Sequence, residues 1–224
     1  MKKVILVLSV LAVSFLSTAQ TIGLQAGLNI ASQSIGGDES GGFTISTDSK
    51  TGFLVGAVAQ FPFSKYLSFR PELNYIQKGS KTVDAAADQS VIIALNYLDL
   101  PLNVVYSADA GKGQVFFGAG PTIGYGLSGY TKFKSATLEF SQDIKFDGKS
   151  EEEINDQSGH LKALDMGFNL LAGYKFANGL FANAGYQFGL SNITPVQGSS
   201  LKNKGLFIKL GYSFSNSAGR SKGK

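Results

Sequence analysis

Apolar and polar residues alternate along eight separate segments of this 224-residue chain. In residues 67–79, for example, Leu67, Leu73 and Tyr75 lie on one face, and Arg70 and Glu72 lie on the other. A period of two predicts β-strands, because successive side chains of a strand point to opposite faces. Each segment has roughly ten residues or more, the length that a tilted strand needs to cross a membrane.

The connections between these segments are alternately short and long. The segments cover residues 22–30, 53–63, 67–79, 98–106, 114–127, 164–176, 180–190 and 206–214. Short turns follow the second, fourth and sixth segments, around Ser64-Lys65, at residues 108–113 and at Asn178-Gly179, a dipeptide that favours hairpins. The long connections are residues 32–51, 79–95, 129–160 and 191–203.

This organisation is typical of outer-membrane barrels, whose short turns face the periplasm. The sequence therefore predicts an all-β fold: an eight-stranded antiparallel up-and-down transmembrane β-barrel with short periplasmic turns and long extracellular loops. A secreted β-sandwich or a lipocalin-like barrel is the alternative. Aromatic residues concentrated near the segment ends and glycines on the polar face favour the membrane barrel, because rings prefer membrane interfaces and a narrow lumen needs small residues.

Composition agrees with a membrane barrel and defines the ends of the chain. Charged residues make up 16% of the sequence, below the usual quarter or so. Residues 1–19 begin with two lysines and a short apolar run, and we interpret them as a secretory signal peptide. Residues 20–214 form the barrel, and residues 215–224 are predicted to be a flexible basic periplasmic tail. The chain has no cysteine and a formal charge of only +4, so neither disulfides nor nucleic-acid binding is predicted.

Several stretches resemble one known family. The segments "IGLQAGLNIAS", "FRPELNYIQKG", "NYLDLPLNVVY", "FFGAGPTIGYGLSG" and the closing "LGYSF" are similar to the PorT-like outer-membrane β-barrel proteins of Bacteroidetes. The resemblance covers nearly the whole mature chain. It implies a barrel in the outer membrane of a Gram-negative cell, with both mature termini in the periplasm. The branch that gives the family its name is linked to type IX secretion.

Six charged residues lie on the face predicted to line the lumen: Arg70, Glu72, Asp99, Asp165, Lys175 and Lys209. Three are basic and three are acidic, so their formal charges cancel. Buried charges must be paired and hydrogen-bonded, because isolated buried ions are very costly. Eight strands also leave little free bore. We therefore predict a polar network that plugs the lumen and closes it to solutes.

The third long connection contains acidic residues and the single histidine of the chain, which are candidates for a metal site and for a catalytic site. Asp143 and Asp147 match positions of a calcium-binding loop, but Lys145 and Ile154 replace two of its ligands. Asp143, Asp147 and Glu151 are therefore only weak metal candidates, and a solvated acidic loop is the default.

The single histidine, His160, could act as a base with Asp165 or Asp156, but no nucleophile motif accompanies it. We predict that the protein is not an enzyme and has no cofactor. The function predicted is that of a structural or interaction subunit, with outer-membrane lipid, lipopolysaccharide and other outer-membrane or periplasmic proteins as partners. Two alternatives stay open: an accessory subunit of a larger envelope assembly, either type IX secretion or barrel-assembly machinery, and a rim enzyme acting on lipid or protein.

Overall fold

A computed structural model describes residues 21–37, 44–84, 88–149 and 158–215. The strands are β1 (Thr21–Gly37), β2 (Thr44–Ser46), β3 (Lys50–Pro62), β4 (Leu67–Asp84), β5 (Gln89–Ala110), β6 (Gly113–Lys134), β7 (Glu139–Lys145), β8 (Gly159–His160), β9 (Leu164–Phe176), β10 (Leu180–Gly189) and β11 (Ser199–Ser215). The predicted signal peptide lies outside the described residues, as does the predicted tail except for Ser215, which ends β11. Within the described ranges, no helix is long and apolar enough to span a membrane.

Eight of these strands form a closed antiparallel ring, which confirms the predicted strand count. The order around the ring is β1, β3, β4, β5, β6, β9, β10 and β11, and β11 pairs with β1 to close it. Three short strands were not predicted: β2 pairs with β1, β7 pairs with β6, and β8 runs parallel to β7.

One end of the ring, here called the turn end, carries three tight turns. They join β3 to β4, β5 to β6, and β9 to β10. Gly111 and Gly179 have φ angles of 60° and 93° in two of these turns, a region that glycine enters without the steric cost of a Cβ. We call the opposite end of the ring the loop end.

One connection at the loop end is much shorter than the sequence predicts. The predicted 79–95 connection is mostly strand, since β4 continues to Asp84 and β5 begins at Gln89. The strands were missed because the alternation is lost there: residues 91–95 form a continuous apolar run. The β5–β6 register also shifts between Asn96 and Tyr97, where Leu127 of β6 has no partner, and the faces of β6 reverse at that bulge.

The ring is taller on one side than on the other. Strands β5 and β6 have 22 residues each, whereas β9 and β10 have 13 and 10. A strand rises by about 3.3 Å per residue, so β5 and β6 extend well beyond the loop end of β10. Residues 78–84, 89–96, 128–134 and 139–145 of β4 to β7 form this extension, which we call the tall wall.

The outer surface of the ring is apolar over its whole circumference. Exposed outward side chains include Leu24, Leu28, Phe53, Val55, Leu73, Val104, Phe117, Ile123, Leu170 and Leu210. Aromatic pairs flank this surface at both ends, with Tyr212–Phe214 at the turn end and Phe53–Tyr75 towards the loop end. Inward positions are occupied largely by polar side chains and glycines, so the two faces divide as the alternation predicts.

Candidate functional site

The lumen contains two separate groups of charged side chains. The first, called the lower cluster, consists of Arg70 and Glu72 from β4 and Lys209 from β11. Lys209 Nζ lies 2.6 Å from Glu72 Oε2, and Arg70 Nε lies 3.5 Å from Glu72 Oε1. Gln25 also donates a hydrogen bond of 2.7 Å to Glu72 Oε2. One carboxylate thus faces two cations in the half of the lumen nearer the turn end.

Aromatic rings surround the cations of the lower cluster. The Arg70 guanidinium lies between the rings of Phe116 and Phe181, at 5.0 and 4.8 Å from their centroids. Lys209 Nζ lies 4.3 Å from the ring centroid of Phe207. The negative face of an aromatic ring attracts a cation, and the attraction strengthens when water is excluded.

Three lumen glycines make room for these rings. Phe116 is directly opposite Gly173, Phe181 opposite Gly211 and Phe207 opposite Gly185 in the strand register. A Cβ atom on any of these glycines would overlap the ring of its partner. The sequence indicates that small residues line the lumen, but it did not show that rings of the neighbouring strands fill the space they leave.

The second group of charges, called the upper cluster, lies closer to the loop end. Lys78 Nζ is 2.9 Å from Asp99 Oδ2 and 3.0 Å from Asp165 Oδ2. All three side chains are almost fully buried. One ammonium group therefore bridges two carboxylates that come from β5 and β9, which are not neighbours in the ring.

Polar side chains complete the upper cluster. Asn203 donates a hydrogen bond of 3.0 Å to Asp165 Oδ2, and the Ser191 hydroxyl donates one of 3.3 Å to Asp165 Oδ1. Gln187 donates a longer bond of 3.4 Å to Asp99 Oδ2. These donors satisfy both oxygens of Asp165 and Oδ2 of Asp99, whereas Asp99 Oδ1 has no hydrogen-bond partner among the described residues.

The structure divides the six predicted lumen charges differently from the expectation. Arg70, Glu72 and Lys209 come together, but Asp99 and Asp165 pair with Lys78, which was not predicted. Lys175 is half-buried and makes no ion pair with a described residue. Lys78 could have been found, because it has the same parity along β4 as Arg70 and Glu72. The apolar Ile76, which is also buried in the lumen, interrupts the polar pattern just before it.

An apolar layer, called the cap, covers the upper cluster at the loop end. It contains Leu95, Tyr97, Ile144, Leu161 and Ile193, all buried. Backbone hydrogen bonds connect its segments: Leu161 N donates to Lys145 O, and Ile193 N donates to Leu201 O. The cap was not predicted, because much of it comes from connections whose sequences show no periodicity.

The metal and base candidates lie at the edge of the cap. His160 Nδ1 lies 2.7 Å from Asp147 Oδ1, a partner that the sequence analysis did not propose for it. This hydrogen bond lowers the pKa of the exposed Asp147 below its ordinary value. Asp143 and Asp147 form no three-member metal-binding group with other described residues. Glu151 and Asp156 lie outside the described residues.

A closed antiparallel ring with an apolar outer surface and a polar lumen defines the class of transmembrane β-barrels. The family profile described as "Outer membrane protein beta-barrel domain" matches residues 18–195, which is most of the chain. The protein therefore belongs to this family, and its location is the outer membrane. No curated protein matches the chain in sequence.

Solved outer-membrane barrels are similar to the chain in structure. Ail of Yersinia pestis is 13% identical with a TM-score of 0.41, and the match covers 88% of this chain and 99% of Ail. Neisserial surface protein A is 12% identical (TM-score 0.44; 86% and 97% covered). OprG of Pseudomonas aeruginosa is 15% identical (TM-score 0.44; 88% and 97% covered). Neither the identity nor the superposition is high enough to transfer a function.

Proposed function

We propose that the protein is a non-conducting outer-membrane barrel that serves as a structural or interaction subunit. The observation that carries this proposal is that three successive layers of side chains fill the lumen from one end to the other. From the turn end, the lower cluster with its aromatic rings is followed by the upper cluster and then by the cap. Each layer joins strands from different parts of the ring, so a solute would have to break ion pairs and displace packed side chains to pass.

Planar-bilayer recordings test the closed lumen. The purified full-length protein should insert without producing steady ohmic conductance. The variant Ile193→Ala loosens only the cap and should also stay closed, because both charge clusters remain below it. A large, steady conductance of the unmodified protein would contradict the proposal, and conductance of Ile193→Ala alone would show that only the cap closes the lumen.

The tall wall supports a role in interaction. Its side chains Val83, Tyr130 and Phe140, together with Leu138 in the β6–β7 connection, are exposed although they lie beyond the loop end of the shorter strands. Exposed apolar side chains grouped in this way are typical of protein–protein contact surfaces. An accessory subunit of a larger envelope assembly, either type IX secretion or barrel-assembly machinery, would use such a surface.

Co-purification in mild detergent tests this role. The double variant Leu138→Ser/Phe140→Ser should lose bound outer-membrane or periplasmic proteins that the unmodified chain retains. Val196→Ser is a matched control, because Val196 is an exposed apolar residue outside the tall wall. Identical partners in all three preparations would exclude the tall wall as the contact surface.

The proposed orientation places the turn end and both mature termini in the periplasm. Short turns of outer-membrane barrels face that side. A tag inserted between Ala136 and Thr137, in the β6–β7 connection, should be accessible on intact cells, and one between Gly111 and Lys112 should not. The reverse pattern would overturn the orientation.

Lipid and lipopolysaccharide are the partners proposed for the outer surface. Leu206 and Ile208 of β11 are exposed among the outward apolar side chains. Lys202 and Lys204 have the same parity nearer the loop end, where they could meet anionic headgroups. Binding of purified lipopolysaccharide should therefore weaken in Lys202→Gln/Lys204→Gln. An unchanged affinity would remove these lysines from the proposal.

A rim enzyme based on His160 has less support. A general base must reach its substrate, and the His160 side chain is only 2% exposed. Its Nδ1 atom is also engaged by Asp147. If any lipid- or protein-modifying activity is found, His160→Ala should leave it unchanged; loss of that activity in a folded variant would revive the enzyme hypothesis.

A further inference from the structure

Arg70 is deeply buried but loosely held. Only 5% of the residue is exposed, and its single ion pair, with Glu72, is long at 3.5 Å. Neither Nε nor Nη2 makes a hydrogen bond within the described part of the chain. A guanidinium carries five N–H donors, and leaving buried donors unpaired is unfavourable. The neighbouring rings of Phe116 and Phe181 attract the cation but accept no ordinary N–H···O hydrogen bond, so the unpaired N–H edge of the guanidinium is left for a further partner.

The charges around Arg70 are unbalanced. Glu72 is already bound by Lys209 at 2.6 Å. Two buried cations therefore share one carboxylate. Lys175, which is half-buried and lies directly opposite Phe181 on the neighbouring strand, adds a further positive charge on the Arg70 side. This excess positive charge favours an anion.

A small cavity adjoins the guanidinium at the turn end. Its volume is about 10 Å³, and it is lined by Arg70, Thr21, Gly23, Val58, Ala59, Gln60 and Ser213. A cavity of this volume has room for a single small particle. Its partly polar lining and its single charged side chain suit a monatomic anion, whereas a polyatomic anion such as gluconate is far too large.

We propose that this cavity binds one small monovalent anion of the size of chloride, held by the free edge of the Arg70 guanidinium. The anion offsets the excess positive charge that Glu72 leaves uncompensated and supplies the acceptor that Arg70 lacks. The site goes beyond the proposed function, since a barrel can be closed with or without it. Binding of the anion makes the turn end of the lumen more stable in halide than in other salts.

Thermal unfolding of the full-length protein in detergent tests the site. The unfolding midpoint is measured by circular dichroism in sodium chloride, sodium bromide and sodium gluconate at equal ionic strength. Chloride and bromide should raise the midpoint by a few degrees with saturation, and gluconate should not. An identical response to all three salts would overturn the proposal, because it would show only general screening.

Two variants and a control locate the effect. Arg70→Gln should abolish the halide-specific shift, and Lys65→Gln, which removes a charge from the turn between β3 and β4, should retain it. Ser213→Val keeps every charge but fills the cavity, and it should also abolish the shift. This variant provides the test if Arg70→Gln does not fold. Retention of the shift in Ser213→Val would refute the site. In crystals grown with bromide, an anomalous peak at Arg70 Nη2 is expected, and a water without anomalous signal there would equally refute it.

Discussion

The two charge clusters of the lumen are built on opposite ratios of acid to base. The lower cluster has one carboxylate, Glu72, for two cations. The upper cluster has one cation, Lys78, for two carboxylates. The two clusters are thus oppositely charged, and each exposes its excess charge to a different set of neighbours.

The side chains around each cluster stabilise the charge that the cluster has in excess. Around the lower cluster, the rings of Phe116, Phe181 and Phe207 present their electron-rich faces to cations. Around the upper cluster, Asn203 and Ser191 supply hydrogen-bond donors to a carboxylate. The comparison shows that a narrow barrel can bury a cluster with unequal numbers of acidic and basic groups. The surrounding side chains must then stabilise the net charge of that cluster.

The largest effect is expected from removing the one acid of the lower cluster. Glu72→Gln keeps the size of the side chain but leaves Arg70 and Lys209 without a counter-charge. Because neither cation can reach water, we expect a loss of about 4 kcal/mol in the free energy of unfolding. Urea titration of the protein in lipid vesicles measures it. An unchanged midpoint would show that the lower cluster contributes nothing to stability.

Removing the one cation of the upper cluster should cost somewhat less and should depend on pH. Lys78→Met leaves Asp99 and Asp165 unpaired, and we expect a loss of about 3 kcal/mol at pH 8. Carboxylates can be neutralised by protons, whereas a guanidinium cannot lose its charge in a protein. The loss should therefore shrink at pH 5 in Lys78→Met but not in Glu72→Gln. Equal pH dependence in the two variants would contradict the difference between the clusters.

The aromatic surroundings of the lower cluster can be tested through a glycine. In Gly211→Ala, the new methyl group would overlap the Phe181 ring, which stacks on Arg70. Overpacking of this kind costs about 2 kcal/mol. The double variant Gly211→Ala/Phe181→Leu should recover part of the loss, and a double-mutant cycle measures the coupling. Strictly additive losses would mean that the ring and the glycine do not act together.

The smallest effect is expected at a hydrogen bond outside the lumen, between the buried His160 and the exposed Asp147. The pKa of Asp147 is lowered by its hydrogen bond with His160. This bond therefore stabilises the fold above the ordinary pKa of an aspartate, and the contribution is lost as the pH falls through the lowered value. Carbon NMR of the Asp147 carboxyl should show its midpoint rise in His160→Gln. Global stability near neutral pH should change little, since the Asp147 carboxylate stays in contact with water and Gln keeps a polar group at position 160.

Many of the residues that line the lumen could be predicted from sequence, because the face of a strand on which a side chain lies depends only on its odd or even position along that strand. Alternation places Arg70, Glu72, Asp99, Asp165 and Lys209 on the inner face wherever a strand is regular. The hairpin at Asn178-Gly179 follows in the same way from the preference of glycine for positive φ. The prediction failed at Lys78, where the apolar Ile76 interrupts the polar pattern, and at residues 91–95, where a continuous apolar run hides the period of two.

The sequence by itself therefore determined the eight strands of the ring, their two faces and the residues that face inward. Only the tertiary structure decided which charges meet. Glu72 pairs with Lys209, 137 residues further along the chain, and Lys78 reaches Asp165, 87 residues away. Which of these side chains lie at the same height in the lumen depends on the stagger of the strands around the closed ring. The stagger is a property of the whole ring, so no local pattern along the chain contains it.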